Sequence, residues 1–371
     1  MTSLSDLPIR DDLRGLSAYG APQESVPVQL NVNENTHAIP EDVATDIVRA
    51  LALAVMGVNR YPDREFTELR DALAAYLGHG LTRENIWAAN GSNEVLQQTL
   101  QAFGGPGRSV LGFPPTYSMH SIIANATGTR WVTAERDSGY GISPETVVAA
   151  IQREQPDVVF LCSPNNPTGT ALGLETIVAA YDAFPGILLV DEAYAEFAEG
   201  DTALSLLEGR PRLLVSRTMS KAFAFAGARL GYLAADPAVT DALRLVRLPY
   251  HLSALTQAAS VAALSHAPAM LAMVDDIKAQ RDRIIAALPG LGYTPLPSES
   301  NFVMFGGVAD PNATFEALFE QGVLIRDVGI PHHLRVSAGT EQETGIFLDA
   351  LTSLVGHSTQ LPSGAIGKIE E

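Results

Sequence analysis

The sequence predicts an α/β protein: a large unit with a mostly parallel central sheet flanked by helices, joined to a smaller α+β unit. Three observations carry that expectation. Short apolar runs alternate with helix-like stretches; polar clusters recur just after those runs; and the chain's 371 residues exceed what one minimal core needs.

In chain order, the strand-length runs are 85–90, 109–114, 157–163, 187–191 and 213–216, each followed by a polar, Gly- or Pro-containing turn. Runs this apolar suit strands buried on both faces, as parallel strands covered by helices must be. In such sheets functional groups gather beyond the carboxyl ends of strands. The clusters found there are Gly91-Ser92-Asn93, Thr116-Tyr117, Asn165 to Gly169, Asp191 to Tyr194 and Ser216 to Lys221. After about Asp236 the texture changes to a long helical pattern, 258–288, and then to short strands at 301–305 and 334–337. The expected division is an N-terminal arm, 1–40, packing on the small unit; a large domain, 41–240; a small domain, 241–356; and a weakly ordered tail, 357–371.

Composition narrows the function. The 46% hydrophobic and 18% charged fractions, with a mean hydropathy of +0.11, describe a folded chain that can bury a large core. A net charge of −18 repels nucleic-acid backbones and anionic membranes, and no Lys/Arg run overrides it. The longest apolar run, 50–58, is far short of the roughly 20 residues that span a bilayer. A single cysteine, Cys162, allows no intrachain disulfide, so an unexported, cytoplasmic protein is expected, and no Cys/His cluster suggests a metal.

Only three lysines exist: Lys221, Lys278 and Lys368. Lys278 lies four residues before Asp282 on a solvated helix pattern, and Lys368 sits in the tail. Lys221 stands among small and apolar residues in SKAFAFAG, where desolvation would depress its pKa and make the amine nucleophilic. An amphipathic lysine snorkelling past apolar neighbours would look the same. Asp191 closes a buried run, and three roles fit it: a helix cap, a Walker B acid, or a carboxylate that keeps a pyridine nitrogen protonated. The Walker reading needs GxxxxGK[ST], which the sequence lacks.

Gly91-Ser92-Asn93 precedes the helical stretch 94–103, so it could hold an anion at a helix N-terminus or merely cap it. Arg229, inside the apolar stretch 228–232, needs a phosphate or a structural carboxylate. Asn166 and Tyr194 each follow a strand and can donate a hydrogen bond into a shared crevice, while Tyr117 offers an aromatic face or simple packing.

Together, SPNNPTG (163–169), DEAY (191–194) and SKAFAFAGARLGY (220–232) resemble the signature blocks of fold-type I, class I/II aminotransferases. With LNVNEN (30–35), NRYPD (59–63), NGSNE (90–94), PPTYSMH (114–120), NFVMF (301–305) and GVLIRDVG (322–329), the chain is similar to the histidinol-phosphate aminotransferase family over nearly its whole length.

The resemblance implies a pyridoxal 5′-phosphate enzyme with Lys221 as the Schiff-base lysine. Asp191 would pair with the pyridinium, Asn166 and Tyr194 would bond the phenolic oxygen, and Tyr117 would stack on the ring. Gly91, Ser92, Asn93, Ser220 and Arg229 would hold the cofactor phosphate. Tyr61 would reach it from the second subunit of a homodimer whose active sites lie at the interface. Arg335, Arg326, Tyr19 and Asn33, with Asn166, would contact substrate; outside the resemblance, Arg335 also reads as a surface ion pair. The implied reaction exchanges the amino group of L-histidinol phosphate with 2-oxoglutarate, giving imidazole-acetol phosphate and L-glutamate by a ping-pong cycle in histidine biosynthesis. Aromatic amino-acid aminotransfer is the nearest alternative, and a decarboxylase on the same scaffold is another. The family usually has proline after Asn-Glu-Asn, where this chain has Thr36-His37.

Overall fold

The structure is a computed structural model and describes residues 3, 6–15, 20 and 22–358. Its first strand, β1 (Val28–Gln29), belongs to neither of the larger sheets; it pairs in parallel with a strand near the other end of the chain. Two helices follow, α1 (Glu41–Val55) and α2 (Thr67–Leu77), and then the main sheet begins with β2 (Ile86–Asn90).

The sheet also contains β3 (Ser109–Gly112), β4 (Arg130–Thr133), β5 (Val158–Cys162), β6 (Ile187–Asp191), β7 (Leu213–Thr218) and β8 (Leu230–Ala234). Its order is β2-β8-β7-β6-β5-β3-β4. The pairings among β3 to β7 are all parallel, and β8 runs antiparallel to both its neighbours. Every residue of β3, β5, β7 and β8 is buried, the pattern of strands covered on both faces. The covering helices include α3 (Ser92–Phe103), α4 (Met119–Ala126), α5 (Pro144–Glu154), α6 (Leu174–Asp182) and α7 (Pro237–Val246).

Two of these helices open the same way. Ser143 accepts from the Thr146 amide with Pro144 in the first turn, and Asp236 accepts from the Ala238 amide with Pro237 following. The capping oxygen satisfies an orphan donor and the proline presets the helical φ.

The helical stretch expected over 258–288 is two helices, α8 (Ala254–Ser265) and α9 (Ala267–Ala287), bent by 76° at their junction. Pro268 explains the break: it has no N–H to donate, and its ring clashes with the carbonyl four residues back. No single helix among the described residues is long and apolar enough to cross a membrane.

A smaller sheet has the order β12-β13-β10-β9, all antiparallel, from β9 (Thr294–Pro295), β10 (Phe302–Gly306), β12 (Arg326–Asp327) and β13 (Leu334–Ser337). Around it lie α10 (Pro311–Glu320), β11 (Val323–Leu324) and α11 (Glu341–Ser358). The partner of β1 is β11, and the Ser337 amide donates to the Leu30 carbonyl at 2.9 Å, so the chain before α1 is stitched to this part. Of the tail expected over 357–371, His357 and Ser358 belong to α11; residues 359–371 lie outside the described ones.

Two expectations change at the residue level. Strand β8, not foreseen as a separate strand, inserts antiparallel between β2 and β7. Gly231, its second residue, admits close approach of α3: a Cβ there would lie 2.1 Å from the Ser92 amide nitrogen. The short β4, with one buried residue in four, also lacked an apolar signature.

Candidate active site

A cavity of about 410 Å³ opens beyond the carboxyl ends of the central strands and is closed on its far side by the smaller sheet. Lys221 reaches it from the turn after β7, and its Nζ donates to the Val32 carbonyl at 3.1 Å. Burial pushes this amine down to about 8, helped by the positive field of Arg335 and Arg229 and opposed by Glu34. Between the readings of a snorkelling and a desolvated lysine, the geometry selects the second.

Asp191, at the end of β6, is buried and caps no helix. Ser216 Oγ donates to its Oδ1 at 3.1 Å, and its Oδ2 lies 3.1 Å from His120 Nε2. His120 is itself fully buried on α4, between the rings of Tyr117 and Phe160. It was missed as a functional residue, although it closes the PPTYSMH stretch three residues after Tyr117. A histidine in a short helix that also carries Ser121 and Asn125 gives no sign of which strand it will face.

Tyr194 receives two donors on its hydroxyl: Asn33 Nδ2 at 2.9 Å and Asn166 Nδ2 at 3.3 Å. Desolvation raises its pKa well above the ordinary value, so the phenol keeps its proton, and that proton remains available to a further acceptor in the cavity. Asn33 is buried with φ +57. Its left-handed backbone is held by the Asn301 side chain on its carbonyl at 2.9 Å and by Ser337 Oγ on its amide at 3.0 Å. Arg335 continues the chain of contacts, donating from Nη1 to Asn166 Oδ1 at 2.5 Å and from Nη2 to the Asn31 carbonyl at 2.8 Å. It is buried and lies over the Phe302 ring, which excludes the surface ion pair.

Arg326 stands opposite Arg335 in the β12–β13 register, and both line the cavity. Like charges directly opposed across strands disfavour each other unless an anion joins them.

The N-cap of α3 is Gly91, at φ +82 and without a side-chain cap bond, so neither Ser92 nor Asn93 performs the capping role. Both line the cavity instead, and Asn93 Oδ1 accepts from the Tyr117 hydroxyl at 3.2 Å. Arg229 corrects the picture of a guanidinium sunk in an apolar stretch. The residue is exposed, has φ +56, donates from Nη1 to the Ala226 carbonyl, and makes no ion pair among the described residues. Its Nη2 occupies the space a Cβ on Gly91 would need, 2.6 Å away, so glycine lets the guanidinium close over the start of α3. Ser220, buried, accepts from Thr218 Oγ1 at 2.9 Å and borders the same space. Backbone amides, hydroxyls and an unpaired guanidinium thus converge at a helix N-terminus, the donor set a phosphate group requires.

Tyr61 is not brought to the cavity of its own chain. Tyr61 is 80% exposed and stacks on Tyr250 at 4.5 Å, away from the lysine of its own chain. Tyr19 lies outside the described residues.

The family profile described as aminotransferase class I and II matches residues 25–351. The chain belongs to the class I and II aminotransferases. Within that family it is similar to the histidinol-phosphate aminotransferase of Paenarthrobacter aurescens, 61% identical over 357 residues that are 95% of this chain and 96% of that one. The histidinol-phosphate aminotransferase of Thermobifida fusca is 55% identical, covering 96% and 98%. Among solved structures, the Sinorhizobium meliloti histidinol-phosphate aminotransferase in complex with pyridoxal-5′-phosphate is similar with a TM-score of 0.85 at 27% identity, covering 95% of this chain and 98% of that one. The chain shares its α/β fold, built on a mostly parallel sheet, with that solved structure.

Proposed function

We propose that the protein is a pyridoxal-phosphate-dependent aminotransferase that interconverts L-histidinol phosphate and 2-oxoglutarate with imidazole-acetol phosphate and L-glutamate. One observation carries the reading: a single desolvated lysine faces two arginines opposed on paired strands, so an amine-transfer centre and a dianion site share one cavity. The names of the relatives described above agree with it.

The residues fit the cofactor. Gly91, Ser92, Asn93, Ser220 and Arg229 would hold its phosphate, Asp191 its ring nitrogen, Asn166 and Tyr194 its phenolic oxygen, and Tyr117 one ring face. Pyridoxal phosphate, when bound, supplies an aldehyde carbon that joins amines through a carbon–nitrogen double bond and a ring that accepts electrons from the neighbouring carbon. Asp191, fixed by Ser216 and His120, keeps the ring nitrogen's proton in place. Lys221 would anchor the group, and its Nζ, once freed by the incoming amine, would take the proton from the substrate carbon bearing that amine. Arg335 and Arg326 would grip the substrate phosphate in one half-reaction, and Arg335 the carboxylate of glutamate in the other. Asn33 and Asn166 orient the Tyr194 hydroxyl, and Asn166 couples it to Arg335.

The same reading includes a homodimer. Leu53, Met56, Leu245 and Leu248 are each at least 68% exposed and near in sequence to the two stacked rings of Tyr61 and Tyr250, and such exposed apolar side chains suit a second copy of the chain, with Tyr61 entering the partner's site. A cytoplasmic location and domain limits near residues 40 and 240 complete it.

The test is the amine-donor half-reaction, run side by side with histidinol phosphate and phenylalanine. Histidinol phosphate is expected to have the larger specificity constant; a larger one for phenylalanine makes the protein an aromatic amino-acid aminotransferase, and release of carbon dioxide a decarboxylase.

A further inference from the structure

Three acids line the cavity: Asp191, Asp327 and Glu34. Asp191 is held by Ser216 and His120, and Asp327 Oδ1 accepts from the Gly329 amide at 2.8 Å. The Glu34 carboxylate makes no hydrogen bond or ion pair among the described residues, yet its charge acts on Lys221 and the residue borders both the main cavity and a neighbouring one of about 360 Å³. An uncommitted carboxylate is an odd wall for a site whose two arginines select anions, because it repels the same ligands they attract. It fits a substrate with an anion at one end and a hydrogen-bond donor at the other.

The geometry points to Glu34 as a specificity residue that accepts a hydrogen bond from the imidazole N–H, or the imidazolium, of the amine substrate. This rests on the reading of histidinol phosphate as that substrate. With the phosphate on Arg326 and Arg335 and the amine at Lys221, the ring must lie in the remaining space, of which Glu34 forms one border. Phenylalanine has no donor on its ring, and glutamate has no ring. Because Glu34 is exposed, water satisfies it when the ligand does not, so it favours imidazole without a large penalty on other ligands.

The experiment compares wild-type holoenzyme with Glu34→Gln in three single-turnover half-reactions. The variant should lose about tenfold in specificity constant for histidinol phosphate while glutamate changes less than twofold and phenylalanine holds or improves. In a Lys221→Ala background, the Kd for histidinol phosphate measured by calorimetry should rise by a similar factor on adding Glu34→Gln. Equal losses on all three substrates would assign Glu34 a merely structural role, and no loss on histidinol phosphate would remove it from recognition; either overturns the inference. Failure of the parent reading is seen separately, as wild-type enzyme that does not turn over histidinol phosphate.

Discussion

A lysine with an ordinary pKa is neutral to about one part in a thousand at pH 7.5, whereas one near 8 is neutral to about a quarter, a gain of about 200-fold in the nucleophilic form. Lys221 is placed in the second situation by burial and by Arg335, so modification of the cofactor-free protein by pyridoxal phosphate and borohydride should concentrate on it. The labelling rate should rise with pH to a plateau with its midpoint near 8; a midpoint close to 10.5 would show that the amine is hydrated. Lys221→Ala should abolish both label and turnover. His120→Ala should leave the fold intact while lowering turnover about tenfold, because Asp191 then keeps only Ser216, and a fluorescence titration should show weaker cofactor binding. Lys221 was legible in the sequence because lysine is so scarce and its neighbours so small. His120 was not, since its role depends on a strand seventy-one positions away. Arg229 was legible as important but misjudged in its surroundings: the local stretch is apolar, yet a left-handed φ turns the side chain outward over Gly91.

Among the elements, the start of α3 and strand β8 form one tightly fitted piece. Gly91→Ala would put a methyl where Arg229 Nη2 lies, at a φ that L residues avoid, so a loss of about 1–2 kcal/mol and a weaker phosphate grip are expected, read from denaturant midpoints and cofactor affinity. Gly231→Ala should be worse, because its methyl would meet backbone at 2.1 Å rather than a movable side chain, and soluble yield should fall sharply. The parallel strands other than β4 were readable in advance because each is a nearly continuous buried run, β5 with all five residues and β6 ending on its acid. Strand β8 was hidden by its company: its LGYLA follows a loop of similar apolar texture, so composition marks no boundary. The α8–α9 bend was hidden for the opposite reason, a helical periodicity that persists on both sides of one proline.

At the scale of the whole molecule, the exposed apolar residues of α1 and of the segment after α7 set the expectation of assembly. Replacing Leu53 and Met56 together by aspartate should give a monomer by sedimentation and remove most activity without unfolding the chain. Residue patterns announce that surface poorly, since a helix face buried against a second copy reads like one buried in its own core. The opposed positions of Arg326 and Arg335, both at the cavity, also bear on stability. Any tetrahedral oxyanion that bridges them relieves their mutual repulsion in the native state alone, so inorganic phosphate or sulfate should raise the melting temperature, by the equivalent of about 2.7 kcal/mol at one hundred times its Kd. A preparation kept in phosphate buffer would therefore look sturdier and work more slowly than the same protein in an amine buffer, through one and the same pair of side chains.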